Sequence, residues 1–544
     1  MLRVVRPPEG LHDGLSALDR NSILSRIWAH DHTVWKPSPA EIANRLGWLH
    51  APFQMVHEAD RIASFAEAVR SDGFRHVLLL GMGGSSLAPE ALARTFGAAP
   101  GYPELLVLDS THPDAVSAVE RRLDLDSTLV LVATKSGTTV ETLSLFRHFH
   151  RRISALSGEP GLRFVAITDP GSPLVEIADS SGFRETFLND PNLGGRYSAL
   201  SLFGLVPAGL LGIDVASFLD RARRISIECA KHDDLSANPA VRLGAVLGAS
   251  ALAGRDKLTI AASPAIAGLA DWIEQLIAES TGKEGTGIVP IVGEPIRDPS
   301  FYASDRLFVS IATSAEVSDQ DPLAAHADAG HPVVEVVLDT PDALADQFFL
   351  WELATAIAGH ILGVNPFDQP NVEAAKRRAR ETVDAYRASG TLPPISAEPY
   401  SMSAVLDALR RMDTGREDYV ALHGYLPPSA EWSAFAAALR ERISTTFGAA
   451  TTFGYGPRFL HSTGQLHQGG RGNGRFIQLI FPTSQDIPIP DSQHGEEPSM
   501  TFGTLIASQA LGDRRALRDA GRPVRSFELQ TGPTSSYDEA HEGG

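Results

Sequence analysis

Seven short apolar runs, continuous rather than alternating, constrain this chain more than any other feature. They are His76-Val-Leu-Leu-Leu80, Leu105-Leu-Val-Leu108, Thr128-Leu-Val-Leu-Val-Ala133, Phe164-Val-Ala-Ile-Thr168, Leu258-Thr-Ile-Ala-Ala262, Arg306-Leu-Phe-Val-Ser-Ile-Ala312 and Pro332-Val-Val-Glu-Val-Val-Leu338. Each is strand-length, and helical patterns separate them. A strand without polar alternation must be covered on both faces, and that is the habit of parallel sheets whose crossovers are helices. The runs fall into two sets with a helical section, 198–253, between them. The pattern therefore predicts two α/β sandwiches in tandem, without a sequence repeat between them, the second followed by an apolar helix over 347–363.

The remaining segments read as additions to that frame. Residues 1–70 alternate helical patterns with polar turns and contain no strong strand, which predicts a helical lead-in. The sandwiches are expected over 71–215 and 216–415. A smaller C-terminal α/β unit is expected over 416–530, with a strand at Tyr419-Val-Ala-Leu-His423, a helix over 430–445 and a strand over 475–481. Residues 531–544 read as a disordered tail.

Charge narrows the partners. The 544 residues carry 47 Lys+Arg against 66 Asp+Glu, a net charge of −19, with no basic block, which argues against nucleic acid and against an anionic membrane. An anionic ligand would need a site built locally, against the field of the whole molecule. A single cysteine, Cys229, excludes a disulfide framework and reads as an inert, partly buried thiol. The stretch 347–364 is interrupted by Glu352 and His360, so a core helix is expected there, not a membrane span. Without the apolar run of a signal peptide at the N-terminus, the expected location is the cytoplasm.

Two loops at strand ends carry anion-binding chemistry. Gly81-Met-Gly83-Gly84-Ser85-Ser86 turns from a strand into a helix, and its glycines let backbone N–H groups approach an anion at the helix N-terminus. Ser86 occupies the position where a dinucleotide fingerprint needs glycine. Thr134-Lys135-Ser136-Gly137-Thr138-Thr139-Val-Glu-Thr142 also follows a strand and opens a helix. Hydroxyls there either cradle an anion or only cap the helix. Both loops converge on the carboxyl edge of one sheet and favour a phosphorylated small molecule. Gly282-Lys283 does not continue as a Walker motif, since Glu284 follows it. Asn192-Leu-Gly-Gly195-Arg196-Tyr-Ser198 places an arginine on a flexible turn, and Glu279-Ser-Thr-Gly282-Lys283 ends an amphipathic helix on a carboxylate.

These motifs, in this order, resemble those of the phosphoglucose isomerase family, and Asn365-Pro-Phe-Asp368-Gln369-Pro-Asn-Val-Glu373-Ala-Ala-Lys376 is similar to its final motif. The third unit, with His461-Ser-Thr-Gly-Gln465-Leu-His467-Gln-Gly-Gly, resembles the isomerase portion of transaldolase–isomerase fusion proteins, without a transaldolase barrel. The resemblance implies sugar-isomerase-type sandwiches, a homodimer, and interconversion of glucose 6-phosphate and fructose 6-phosphate through a cis-enediol, with no metal or cofactor. It assigns Gly83, Gly84, Ser85, Thr134, Lys135, Ser136, Thr138 and Thr139 to the phosphate and Glu279 to proton transfer between C2 and C1. Arg196 would stabilise the enediolate, and Lys376 would assist the ring oxygen or the sugar hydroxyls.

One element departs from the family. Its ring-opening histidine lies between the glutamate and the final lysine; that interval here holds His326, His331 and His360, none in the family's Asn-Gly-Gln-His context. One of His461 and His467 is expected to take the role, His467 preferred for its Gly-Gln-Leu-His context. His148 and His150 are expected to be solvated. Two alternatives stand beside the isomerase reading: an isomerase of another phosphorylated aldose such as mannose 6-phosphate, and a sugar-phosphate-binding regulator of the same fold. The regulator would not need Glu279, Arg196 and Lys376 together.

Overall fold

The computed structural model describes every residue except 1, 318–322, 373–376, 379–380, 382–385, 387–389, 395, 493–497, 531 and 534–544. Strand β1 (Leu2–Arg6) precedes the helices of the lead-in. The first sheet holds β2 (His76–Gly81), β3 (Glu104–Leu108), β4 (Thr128–Ala133), β5 (Phe164–Thr168) and β6 (Glu185–Leu188), ordered β3-β2-β4-β5-β6 and parallel throughout. The second holds β7 (Lys257–Ala262), β8 (Val289–Val292), β9 (Arg306–Thr313) and β10 (Val333–Leu338), ordered β1-β10-β9-β7-β8. Only β1 runs antiparallel there, pairing Leu2 with Val336.

The lead-in thus contains a strand as well as its helices. Leu2-Arg-Val-Val-Arg6 is short and half-buried, and its partner lies more than 300 residues away, so no local period marks it.

The continuous apolar runs are covered on both faces, as such strands require. Val77, Leu79, Leu129, Leu131, Val165 and Ile167 join the main core with the helices of both sandwiches. From the opposite face Leu78, Leu80, Val130, Val132 and Phe164 pack on Phe146 and Phe149, and on Ile489, Met500, Phe502 and Leu505 from the C-terminal unit. Helix Leu344–Leu362 is buried almost all round, including Glu352, which burial pushes well above the usual carboxylate range. Among the described residues no helix is long and apolar enough to cross a membrane. Cys229 is fully buried, and burial raises its thiol to about 12, which makes it inert.

The third sheet holds β11 (Glu398–Pro399), β12 (Tyr419–Tyr425), β13 (Ala450–Tyr455), β14 (Gly474–Ile480) and, after the two-residue ribbon β15 (Pro488–Ile489) and β16 (Met500–Thr501), β17 (Val524–Glu528). Its order is β11-β17-β14-β12-β13, parallel throughout. The third sheet thus takes in Glu398–Pro399, ahead of the expected stretch 416–530, through a two-residue strand that carries no apolar period. Tyr419, Ala421, Ala450, Leu466 and Phe476 share a core with Ala278, Val289 and Ile291 of the second sandwich. The C-terminal unit is thus packed against both sandwiches. The expected tail, 531–544, lies almost wholly outside the described residues.

Candidate active site

The two predicted anion loops stand side by side because β2 and β4 are neighbours in register, Gly81 opposite Ala133. After β2 the chain makes one 3-10 turn, Gly83–Ser85, and enters helix Leu87–Phe96. Gly84 must be glycine: a Cβ there would lie 1.9 Å from the carbonyl oxygen of Gly195. This close approach brings the Arg196 turn onto the first loop, and Ser198 Oγ donates to the Gly84 carbonyl at 3.4 Å.

After β4, Thr134 and Thr139 share a hydroxyl hydrogen bond of 2.8 Å, and Ser136 and Thr138 another of 2.9 Å. Thr139 is the N-cap residue of helix Val140–Ser154, yet its side chain accepts no capping bond from that helix. The Thr139 hydroxyl is therefore not committed to the helix end, and with Thr134, Ser136 and Thr138 it lines a cavity of about 780 Å³ beside Gly83, Gly84 and Ser85. Lys135 also lines it, with its ammonium bound to Asp169 and to the Pro191 carbonyl. Arg45 and Arg147 line the same cavity.

Glu279 sits in the last turn of helix Ala267–Thr281, 5 % exposed, at the cavity wall. Its Oε2 accepts from Gln275 Nε2 at 3.1 Å, and its Oε1 is 3.6 Å from Arg196 Nη1. Arg196 is held on three sides. Nε donates to Ser280 Oγ at 2.8 Å, and Nη2 donates to the carbonyls of Pro366 and Asp368 at 2.7 and 2.8 Å. A buried guanidinium fixed in this way is a preorganised partner for an oxyanion. Lys376 lies outside the described residues.

Lys283 completes this corner, donating to the carbonyl and a carboxylate oxygen of Asp368 at 2.6 and 2.8 Å. Burial, and then the charge of Arg196, push its ammonium down to about 7 from 10.5. Between those values the unfolded chain binds a proton that the folded one has released, so this residue's contribution to stability rises with pH. Lys283→Met cannot titrate. The Tm of wild type relative to Lys283→Met is expected to increase from about pH 7 to about pH 9.5; a constant difference would contradict the shift.

The histidines separate cleanly. His461 ends the 3-10 turn Arg458–His461 and lines the cavity. Its Nε2 lies 3.0 Å from Glu141 Oε1, and Gln275 Nε2 donates to its carbonyl at 2.7 Å. Glu141 also accepts from Gln509 Nε2 at 2.7 Å. Arg458, bound to Glu90 and Asp109, anchors this turn to the first sandwich. His467, preferred on sequence context, is not among the lining residues. Its Nδ1 meets His423 Nε2 at 3.0 Å, His423 Nδ1 meets Asp513 at 3.0 Å, and burial drives His467 well below its usual range. Helix Gly464–Gly469 turns residue 467 toward the third sheet, which spacing along the chain does not reveal.

The other histidines lie in packed surroundings. His326 and His331 sit among Tyr302 and Phe308, and His360 Nδ1 meets the Val34 carbonyl at 2.6 Å. His148 and His150 are buried rather than solvated: the first meets Glu120 at 3.0 Å and the second packs on Phe146 and Phe164, because their helix is covered on two sides.

Sequence reasoning missed Glu141, Gln275, Gln509 and Asp513 at the cavity. Glu141 stood within a recognised motif, and Gln275 stands one helical turn before Glu279; both spacings could have drawn attention to them. Gln509 and Asp513 belong to helix Phe502–Asp519, whose arrival at the site no local pattern announces.

The profile of the phosphoglucose isomerase family matches residues 52–289, which include both strand-end loops, Arg196 and Glu279. A glucose-6-phosphate isomerase of Leptospira interrogans is 31% identical over 382 residues, 61% of this chain and 85% of that protein. One of Rubrobacter xylanophilus is 30% identical over 428 residues, 69% of this chain and 96% of that protein. Among solved structures, a glucose-6-phosphate isomerase of Chlamydia trachomatis superposes with a TM-score of 0.60 at 20% identity, covering 74% of this chain and 89% of that one, a likeness of fold. Two relatives at 30% identity or above, each aligned over most of its length, agree with the family profile: the chain belongs to the phosphoglucose isomerase family.

Proposed function

We propose that this protein is an aldose–ketose isomerase that interconverts glucose 6-phosphate and fructose 6-phosphate through a cis-enediolate. The observation that carries this reading is the buried pair of Glu279 and Arg196, 3.6 Å apart, at the wall of a cavity lined by a glycine-rich turn and a hydroxyl-rich loop. A carboxylate can move a weakly acidic C–H proton only if the oxyanion that results is stabilised beside it. The pair supplies both functions.

In this reading Ser85, Ser136, Thr138 and Thr139, with backbone N–H groups at the start of helix Val140–Ser154, hold the phosphate. Thr134 steadies Thr139 from behind. His461, as the imidazolium with Nε2–H donating to Glu141, gives its Nδ1 proton to the ring oxygen as the ring opens, and the C1 hydroxyl releases its proton to solvent. Glu279 then carries a proton between C2 and C1, while Arg196 Nη1 bonds the developing oxyanion. A role for Lys376 rests on the family motif alone. Cytoplasmic location and a homodimer belong to the same reading, and sedimentation of purified protein tests the dimer.

A coupled assay of purified protein with fructose 6-phosphate, in parallel with mannose 6-phosphate, tests the activity and its specificity. Absence of turnover with both would overturn the proposal. The phosphate site has its own test. Ser136→Ala and Thr139→Ala each delete a hydrogen bond to a charged group, worth about 1.5–3 kcal/mol. Affinity for sugar phosphates and for inhibitory sugar-acid phosphates is expected to fall by roughly tenfold or more in each variant. Unchanged affinity for both ligands would remove the loop from the site.

A further inference from the structure

The short helix Gly464–Gly469 of the C-terminal unit lies against the last turn of the helix that carries Glu279. Contact is close enough that Gly282 has no room for a side chain: a Cβ there would stand 2.4 Å from Leu466 Cα. From this helix Gln465 points into the junction, fully buried. Its amide makes four hydrogen bonds. Nε2 donates to the Gly282 carbonyl at 3.0 Å and to Asn371 Oδ1 at 2.8 Å. Oε1 accepts from the backbone N–H of Asn371 at 3.0 Å and of Val372 at 3.4 Å.

The two segments so joined are those that build the catalytic corner. Gly282 lies three residues beyond Glu279, and Asn371 lies three residues beyond Asp368, whose carbonyl holds Arg196 together with that of Pro366. Gln465 is not among the cavity-lining residues, so it acts on the substrate only through others. A primary amide suits the task because it alone offers two donors and two acceptor positions in one flat group.

We propose that Gln465 is a positioning residue: its side-chain amide ties the end of the Glu279 helix to the 366–372 segment that holds Arg196, and through it the C-terminal unit maintains the spacing of carboxylate and guanidinium. The inference rests on the isomerase reading for what that spacing serves. It gives the third unit a part in catalysis beyond supplying His461.

Gln465→Met keeps the length of the side chain and removes all four bonds; Asn371→Ala leaves three of them. Gln465→Met is expected to lower kcat for fructose 6-phosphate by on the order of tenfold to a hundredfold, because small displacements of reacting groups are costly. KM should move by less than about threefold, since the phosphate loops are untouched. Asn371→Ala should show a smaller fall in the same direction. Hydrogen exchange of the amides in 366–372 should quicken in Gln465→Met. A merely structural bond would lower Tm and leave kcat per folded molecule as it was. Wild-type kcat in Gln465→Met, or unchanged exchange over 366–372, would overturn the proposal. If Gln465→Met does not fold, Gln465→Glu, which keeps the two accepted bonds, and Asn371→Ala carry the same test, and wild-type kcat in both overturns it. Failure of the wild-type protein to isomerise either sugar phosphate would instead count against the isomerase reading, and the exchange experiment then decides on Gln465 alone.

Discussion

Glu279→Gln should remove nearly all isomerase turnover, by on the order of a hundredfold to ten thousandfold, the usual worth of a general base. The replacement is almost isosteric, so the bond from Gln275 and the packing of the helix end can persist; what disappears is the basic lone pair and its charge. Affinity for a sugar-acid phosphate should stay close to that of wild type, because the anion loops lie on a different sheet edge. Exchange of deuterium at C2 with solvent, expected in the native enzyme, should vanish with turnover. A variant that retains roughly a tenth or more of kcat would remove Glu279 from the mechanism, since loss of a general base costs far more. Turnover is thus expected to fail while binding survives.

The second large effect is expected at His461. It lines the cavity and its Nε2 is 3.0 Å from the Glu141 carboxylate, an arrangement that leaves Nδ1 as the nitrogen able to trade a proton with substrate. His461→Ala should slow turnover of the closed-ring sugar by on the order of a hundredfold or more, the scale of general acid–base assistance. Exchange of the C2 proton from an open-chain form should fall much less, because that step does not need ring opening. His467→Ala provides the contrast: any loss there should affect both reactions alike, since His467 is held by His423 behind the cavity wall. The selective loss appearing in His467→Ala and not in His461→Ala would reverse the assignment.

Much of the site could be read from the sequence because its parts are local. A glycine-rich turn or a hydroxyl-rich loop after an apolar strand is a pattern of six to nine residues, and it foretells a helix N-terminus open to an anion. Arg196 and Glu279 were legible for a related reason: each lies in a short motif whose order along the chain survives folding. The choice between His461 and His467 was not legible. They stand six residues apart in one loop, and what separates them is the turn of one short helix toward a sheet whose β13 and β17 carried no strong pattern. Glu141 was visible as a residue but not as a partner, since His461 lies 320 positions away.

The amino-acid sequence by itself determined the parallel sheets, through strands with no polar face to expose, and the two loops that line the cavity, through glycine and hydroxyl placement at strand ends. Both depend on interactions within a few residues. Tertiary structure alone decided that the C-terminal unit packs onto the first sheet and against the Glu279 helix, bringing His461, Gln509 and Asp513 to the cavity and Gln465 to the junction behind it. Those positions rest on contacts between residues separated by 94 to 368 positions. Such contacts follow from burying shared apolar surface and satisfying buried polar groups across units, and neither leaves a period or a spacing in the chain.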